Sequence, residues 1–188
     1  MEIFNGYCFS KSTQNRLTQA LTDLVKDSTP VLLCLGTDRV LADCLGPIVA
    51  EKLRGQNYPS FVYGGLKAPI TSQNCNRASA FIRAVHSDET LLVVDSMITD
   101  KQSRLGEIVI SDSYMGLNKE NTPIAPIYIY GITSKRNSRS LLAQSRLFLI
   151  SVMAEIISSS LMEISNIHDS QYSRQNLNIK NYIDTHYN

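Results

Sequence analysis

Uninterrupted apolar runs that end at glycine or aspartate constrain the fold of this 188-residue chain more than any other feature. Residues 31–35 read Val-Leu-Leu-Cys-Leu before Gly36, and residues 91–94 read Leu-Leu-Val-Val before Asp95. A strand that is apolar at every position is buried on both faces, which is typical of a parallel sheet covered by helices. Further strands are predicted at three shorter runs: 61–63, 107–110 and 127–130.

Helical patterns fill the segments between these strands. In the first of them, Leu17, Leu21 and Leu24 recur at the spacing of one helix face. Helices are predicted over 12–26, from Asp43 to Leu53, over 76–85 and over 138–164. Strands that alternate with helices form βαβ units, so the predicted fold class is α/β, a three-layer α/β/α sandwich with a mostly parallel central sheet.

The organisation along the chain indicates a single folded unit. We place one α/β/α domain at residues 1–165 and a polar C-terminal tail, loose or with at most a short helix, at residues 166–188. Residues 111–126 contain several glycine, asparagine and proline residues and are predicted to form a long loop between strands. Loops of this length in a compact domain often carry function.

Composition restricts the partners of the chain. Eighteen basic and seventeen acidic residues leave a net charge of +1, which argues against electrostatic capture of nucleic acid. The four cysteines form no C-x-x-C pair, so neither a zinc site nor a disulfide framework is indicated. Gln144, Arg146 and Glu155 interrupt the longest apolar segment. We therefore expect a cytoplasmic protein with no membrane partner.

Several common catalytic and cofactor motifs are absent from the sequence. There is no G-x-S-x-G segment, no P-loop and no dinucleotide fingerprint, so no cofactor is predicted. The three histidines, His86, His168 and His186, are expected to be solvated surface residues rather than ligands. No metal site is predicted.

Aspartates lie where two predicted strands end. Asp38 and Asp43 follow the first buried strand, and Asp95 follows the strand at 91–94. Ligands of parallel α/β sheets bind at the carboxyl ends of the strands, where residues far apart in sequence converge. Two adjacent carboxyl groups share a proton, so that one activates water while the other protonates a leaving group. The same pair is also able to hold a divalent metal.

Each aspartate also has a structural interpretation. Asp43 fits the N-cap of the following helix. Asp95 fits a turn at the end of a strand. Asp38 fits a structural role in which its carboxylate pairs with the adjacent loop or with Arg39. The residues alone leave these alternatives open.

The segment from Gly36-Thr37-Asp38-Arg39 to Asp43-Cys44-Leu45-Gly46-Pro47 resembles the first signature of the YyaC-like sporulation protein family. Four later segments are similar to the other blocks of that family: 63–70 followed by Asn74, 93–96, 105–108 and 130–132. The resemblance spans residues 30–160, which is nearly all of the predicted core. The family is related to the germination protease of spore-forming bacteria and, more distantly, to hydrogenase maturation proteases.

The resemblance implies a phosphorylase/hydrolase-like three-layer fold and an aspartate-dependent peptidase site. It makes Asp43 and Asp95 the candidate catalytic residues, with Asp38 shaping the site. Candidate substrate-binding residues lie in the first two family blocks: Gly36, Thr37, Arg39 and Asn74. Hydrogenase maturation proteases bind the nickel of their substrate with acidic residues and a histidine, and no histidine stands at a matching place in this sequence.

The function implied by the resemblance is hydrolysis of peptide bonds by a sporulation or germination peptidase. Its substrate would be a peptide or small protein, with small acid-soluble spore proteins as the natural choice, and its place would be the forespore or spore. The alternative is a non-catalytic sporulation protein with the same fold that binds a peptide or protein. The sequence makes no prediction of the oligomeric state.

Overall fold

The computed structural model describes residues 1–25, 28–115, 125, 127–136 and 146–187, with side chains as far as His168. The helices and strands are, in chain order, β1 (Glu2–Tyr7), α1 (Thr13–Val25), β2 (Val31–Cys34), α2 (Leu45–Gly55), β3 (Val62–Tyr63), α3 (Cys75–Val85), β4 (Leu91–Thr99), β5 (Glu107–Ser111), β6 (Ile127–Lys135) and α4 (Leu147–Tyr187). Short 3₁₀ turns lie at Leu41–Asp43 and Gln102–Arg104.

A six-stranded sheet with the order β1-β5-β6-β4-β2-β3 forms the centre of the fold. Strands β3, β2, β4 and β6 are mutually parallel, and β5 runs antiparallel to both of its neighbours. The predicted α/β class with a mostly parallel sheet is confirmed. The chain order reverses beside β2, because β3 lies on one side of it and β4 on the other. Such a reversal opens a crevice at the carboxyl ends of the two strands.

Two hydrophobic clusters cover the two faces of the sheet. The larger cluster joins the sheet to α1, α2 and α4, and the smaller one joins the opposite face to α3. Side chains of β2 alternate between the clusters, since Leu32 and Cys34 belong to the larger and Val31 and Leu33 to the smaller. All four side chains are fully buried, as the uninterrupted apolar run predicts.

Three strands differ from the sequence prediction. Strand β4 continues to Thr99 and β6 to Lys135, because both remain hydrogen-bonded to each other beyond their apolar runs. Strand β1 was not predicted. It is an edge strand in which Phe4 and Gly6 alone are buried, so it has no apolar run to reveal it.

Helix α4 also differs from the prediction. It begins at Leu147, while residues 138–145 of the predicted helix lie outside the described residues. Its backbone stays helical through Tyr187, so the prediction of a loose segment after Asn166 is wrong. The segment is polar, but it contains no glycine or proline to end the helix. The division into a domain and a tail at residue 165 remains a prediction. Most of the predicted loop at 111–126 lies outside the described residues.

One helical stretch in the described residues, Leu147–His168, is long and apolar enough to cross a membrane by length and composition. An 18-residue window within it has a mean hydropathy of 1.8, and 56% of that window is buried inside the protein. Helix α4 packs against α1 and α2 there, as the core helix of a globular domain does. The stretch is therefore weak support for a membrane span.

The close packing of α2 on the end of β2 gives a test of the fold. A methyl group on Gly46 would lie 2.1 Å from the carbonyl oxygen of Leu35, whereas one on Gly55 in the same helix would meet no atom within 4 Å. We expect Gly46→Ala to lower the free energy of unfolding by at least about 2 kcal/mol, because backbone atoms cannot move aside cheaply. Gly55→Ala should change it by less than about 1 kcal/mol, in the stabilising direction. Urea unfolding of both variants checks this, and equal stabilities would contradict the packing described.

Candidate active site

The chain leaves the sheet abruptly after β2, and this turn shapes the candidate site. The N–H of Leu35 still donates to the carbonyl of Val94 on β4, at 2.8 Å. Gly36 then adopts φ +123°, and a Cβ there would lie 1.9 Å from the carbonyl oxygen of Asp43. Its N–H donates to Ile70 at 2.8 Å. A glycine is required at this position by both the backbone conformation and the contact with Asp43.

The loop that follows is fixed so that Asp43 returns to the end of β2. The Thr37 N–H donates to the carbonyl of Asp43 at 3.0 Å. From β6, the buried Thr133 hydroxyl donates to the carbonyl of Ala42 at 2.6 Å. Ala42, the residue before Asp43, is therefore hydrogen-bonded to β6, which lies on the opposite side of β4 from β2.

The Asp43 side chain is free of the capping role that its position in the sequence allows. The N-cap of α2 is Cys44, and the helix has no side-chain capping bond, so the N-cap interpretation of Asp43 is wrong. Asp43 is half-buried. Burial raises the pKa of its carboxyl to about 6, and a hydrogen bond from the Thr37 backbone partly offsets this. The carboxyl group is therefore ionised mainly above about pH 6.

Asp95 lies inside β4, paired with Tyr130 of β6, and is 8% exposed. Since β4 continues to Thr99, the interpretation of Asp95 as a turn residue at a strand end is wrong. The N–H of Ser96 donates to its Oδ1 at 2.7 Å. Burial, and then repulsion from the Asp43 carboxylate, raises the pKa of Asp95 to about 7, against the weaker opposite effect of the Ser96 N–H.

Both aspartates line one open cleft of about 680 Å³ at the carboxyl ends of β2 and β4. The cleft has an apolar wall, which includes Met97, Tyr114 and Met115, and a rim of short polar side chains between Thr71 and Asn74. The sequence prediction that Asp43 and Asp95 converge is consistent with this placement. Two carboxyl groups that titrate near neutral pH in a shared cleft are able to act as a coupled acid and base.

The third predicted catalytic residue, Asp38, lies apart from the other two. It is exposed in the loop after β2 and is not among the residues that line the cleft. Its predicted role in shaping the site stays a prediction.

Three predicted substrate-binding residues line the cleft beside Asp43: Gly36, Thr37 and Arg39. Gly36 and Thr37 hold the loop together through their backbone N–H groups. The N–H of Arg39 donates to the Thr37 hydroxyl at 3.3 Å, and its side chain is exposed at the cleft. Among the described residues that line the cleft, Arg39 alone has a cationic side chain, and its role in binding a substrate stays a prediction.

Asn74, the fourth predicted substrate-binding residue, lines the cleft on the side of α3. Its Oδ1 accepts from the Thr71 N–H at 2.7 Å, and its Nδ2 donates to the carbonyl of Pro69 at 3.2 Å. The amide is therefore occupied in holding the loop before α3, which forms the rim of the cleft.

Sequence reasoning missed residues that complete the cleft. Cys75, at the start of α3, is 2% exposed, and burial raises the pKa of its thiol. Burial and the nearby Asp95 carboxylate raise the pKa of the Tyr114 phenol, which stays neutral. Cys75 directly precedes the helix predicted over 76–85 and Tyr114 lies in the loop predicted over 111–126, so neither residue carried a sequence signal of a place in the cleft. Thr133 had a weak one, since it directly follows the family block at Tyr130–Ile132.

His86 and His168 are both 7% exposed, so the expectation that they are solvated is wrong. The ring of His86 is held between the Tyr63 hydroxyl, at 2.8 Å, and the Glu89 carboxylate, at 2.9 Å. These contacts connect α3 to β3 and lie away from the cleft.

The residues of the cleft do not match a metal centre. Within the part of the chain that the structure describes, no three His, Cys, Asp or Glu side chains are grouped so that they could hold a metal ion. Among the described residues that line the cleft there is no histidine.

Comparison with known proteins agrees with the sequence blocks. A family model described as "Protein of unknown function (DUF1256)" matches residues 6–160. The chain belongs to this family. It is 29% identical over 138 residues to the uncharacterized protein YyaC of Bacillus subtilis strain 168. The aligned region covers 70% of this chain and 67% of YyaC. The predicted YyaC-like resemblance is confirmed.

A solved structure shares the fold of the DUF1256 protein. The [NiFe] hydrogenase maturation protease HycI from Thermococcus kodakarensis KOD1 matches with a TM-score of 0.50 and 21% identity, covering 78% of this chain and 98% of the protease. At this identity the likeness shows the fold alone. The likeness confirms the α/β fold that the sequence analysis predicts for this chain.

The raised pKa of Asp95 makes the stability of the protein depend on pH. Its value rises from 3.8 to about 7 on folding, so the protonated form contributes stability in full below pH 3.8, and that stability is lost as the pH rises through 7. We expect Asp95→Asn, which keeps the shape and removes the charge, to match wild type at pH 4 and to exceed it by about 2–4 kcal/mol at pH 8.

Urea unfolding at the two pH values measures this difference. Asp88→Asn, at an exposed position after α3, is the matched control and should follow wild type at both values. An Asp95→Asn variant that is less stable than wild type at pH 8 would show that the buried carboxylate is compensated by contacts other than those described.

The hydrogen bond from Thr133 to Ala42 should hold the Asp43 loop. Thr133→Val keeps the side-chain shape but leaves a buried carbonyl without its donor, so we expect it to lower the unfolding free energy by about 1–3 kcal/mol. Thr133→Ser loses a methyl group but keeps the hydroxyl, and should cost less. Thermal unfolding of the two variants decides the point. A valine variant more stable than the serine variant would show that packing, and not the hydrogen bond, is what Thr133 supplies.

Proposed function

We propose that this protein is a peptidase that hydrolyses peptide bonds with the Asp43–Asp95 pair. The observation that carries the proposal is that both carboxyl groups face one cleft and have pKa values raised to about 6 and about 7, the second partly by the first. An acid and a base poised near neutral pH are what hydrolysis at a neutral amide requires. The fold shared with a hydrogenase maturation protease supports a peptidase.

In the proposed reaction the pair holds one proton between two carboxyl groups. Asp95 is the more deeply buried and keeps the proton to higher pH, so Asp43 is the base and Asp95 the acid. Asp43 removes a proton from a water molecule, whose oxygen bonds to the peptide carbonyl carbon. Asp95 gives its proton to the amide nitrogen as the carbon–nitrogen bond breaks. The proton on Asp43 then returns to Asp95, and the pair is restored.

The surroundings of Asp95 support its role as the acid. Its neighbours include the apolar wall of the cleft and the neutral Tyr114 phenol, so the environment favours the uncharged carboxyl group. The Ser96 N–H, at 2.7 Å from Oδ1, supports the carboxylate that forms when the proton has left. The side chain is thus suited to both protonation states that the reaction needs.

The proposal extends to the substrate and the cell compartment. We place the protein in the cytoplasm, in the forespore or spore, with a peptide or small protein as substrate and without a nucleic-acid or membrane partner. Small acid-soluble spore proteins are the proposed natural substrate. Support comes from the YyaC-like sequence blocks and from the net charge of +1, which offers nucleic acid no strong attraction.

Removal of either carboxyl group tests the proposal. We expect Asp43→Asn and Asp95→Asn each to lower the cleavage rate by about a hundredfold to ten-thousandfold, because the reaction loses its base or its acid. Cleavage of purified small acid-soluble spore proteins and of a quenched-fluorescent peptide library is the measurement. Asp88→Asn is the matched control, and wild type should show a bell-shaped pH profile with limbs near 6 and 7.

The same assay separates the competing functions. Full activity in either variant would contradict the assignment of the pair. Activity that is abolished by a chelator and restored by a metal would favour a metal-dependent hydrolase on the same carboxyl groups. Tight peptide binding with no cleavage by wild type at any pH between 5 and 8 would favour the non-catalytic binding protein.

A further inference from the structure

The edge of one strand is left open inside the cleft. Strand β4 pairs with β6 along its length, up to Thr99 opposite Lys135, but its pairing with β2 ends at Val94 opposite Cys34. The cause is the turn at Gly36, which takes the chain out of the sheet. Beyond Val94, no strand of the described residues lies on the β2 side of β4, and Ser96, Met97 and Ile98 line the cleft instead.

The open edge presents backbone hydrogen-bonding groups to the cleft. The carbonyl of Val94 points toward β2, where it accepts from Leu35 at 2.8 Å. Because the backbone groups of a strand alternate between its two sides, those of Ser96 and Ile98 point the same way. The carbonyl of Thr99 confirms the alternation, since it accepts from Arg136 on the β6 side at 2.7 Å. The N–H of Ser96 donates to the Asp95 carboxyl group. The groups that face the cleft without this bond are therefore the carbonyl of Ser96 and the N–H and carbonyl of Ile98.

The two aspartates stand on opposite sides of this edge. Asp95 shares the sheet face of the smaller hydrophobic cluster with Val93 and Tyr130. Asp43 comes from the other face, because its 3₁₀ turn packs through Leu41 on the larger cluster. A chain laid along the open edge would continue the line of β2 and pass between the two carboxyl groups.

We propose that the substrate is an extended segment of polypeptide that binds as an added strand on the Ser96–Ile98 edge of β4. The proposal rests on the proposed peptidase function and adds how the peptide is held. Backbone hydrogen bonds to Ile98 and Ser96 supply affinity that is independent of the peptide sequence. The added strand brings one of its peptide bonds to the Asp43–Asp95 pair, in a conformation that a helix or tight turn cannot present.

The apolar wall gives the bound strand a side-chain preference. Met97, Tyr114 and Met115 pack on the face of the smaller cluster and line the cleft beside the open edge. Alternate side chains of an added strand point to that face. A peptide residue next to Asp95 therefore enters an apolar pocket, and the segment bound is one with an apolar side chain at that position.

Binding is tested separately from cleavage, in the double variant Asp43→Asn/Asp95→Asn. Octapeptides selected on it from a random phage-displayed library are synthesised, and amide hydrogen exchange of the variant is followed by NMR with and without peptide. We expect the Ile98 N–H to exchange readily in the free protein and to slow by at least about tenfold when a saturating peptide is bound.

N-methylation of the selected peptide identifies the binding mode. Methyl groups on alternate residues remove every N–H on one side of an extended strand. One of the two alternating patterns should weaken binding by about tenfold or more, because it removes the bonds to β4, and the other should leave it within about threefold. The protein is unchanged in this comparison, so a folding defect cannot imitate the result.

Three results would overturn the proposal that the substrate binds as an added strand. They are an Ile98 N–H already protected in the free protein, a library that yields no peptide protecting it, and two methylation patterns with the same effect. Failure of the peptidase function looks different. Peptides that protect Ile98 but are not cleaved by wild type would retain the binding mode and remove catalysis, whereas cleavage without protection of Ile98 would do the reverse.

Discussion

The early departure of β2 from the sheet is the constraint on which the site depends. At Gly36 the chain turns out of the sheet with a positive φ that brings its backbone against the carbonyl of Asp43. β4 and β6 continue past this point. The difference in strand length creates the cleft, exposes one edge of β4, and places Asp43 beside a strand that carries Asp95. A side chain at Gly36 would disturb all three features together.

Burial gives the two carboxyl groups their chemical character. Desolvation is the larger cause of both raised pKa values, and repulsion between the aspartates adds to it for Asp95. The fold sustains this unfavourable placement through the extensive core on either side of the sheet, to which neither carboxyl contributes. Such a local conflict between stability and burial of charge is common at catalytic sites. Such a conflict is expected if the two aspartates carry out the acid–base role proposed for them.

Much of the fold was predictable because its strands are buried on both faces. The runs at 31–35 and 91–94 predicted parallel strands, and the rule that ligands bind at the carboxyl ends of such strands predicted that Asp43 and Asp95 would converge. Both line the cleft, although Asp95 lies within β4 and not at its end. Strand β1 escaped prediction because only one of its faces is buried. Thr133 and Tyr114 act through contacts between distant segments, which spacing along the sequence cannot reveal. The continuation of β4 past Asp95 depends on its pairing with β6, and for the same reason it was missed.

The proposed sharing of a proton between Asp43 and Asp95 is tested most directly by NMR titration of their side-chain carboxyl carbons. In wild type we expect two coupled steps near pH 6 and 7, and in Asp43→Asn a lower pKa for Asp95, because the repulsion is removed. Two independent titrations near the usual aspartate value of about 3.9 would contradict the acid–base pair. An Asp95 pKa that is unchanged in Asp43→Asn would show that the two groups do not interact.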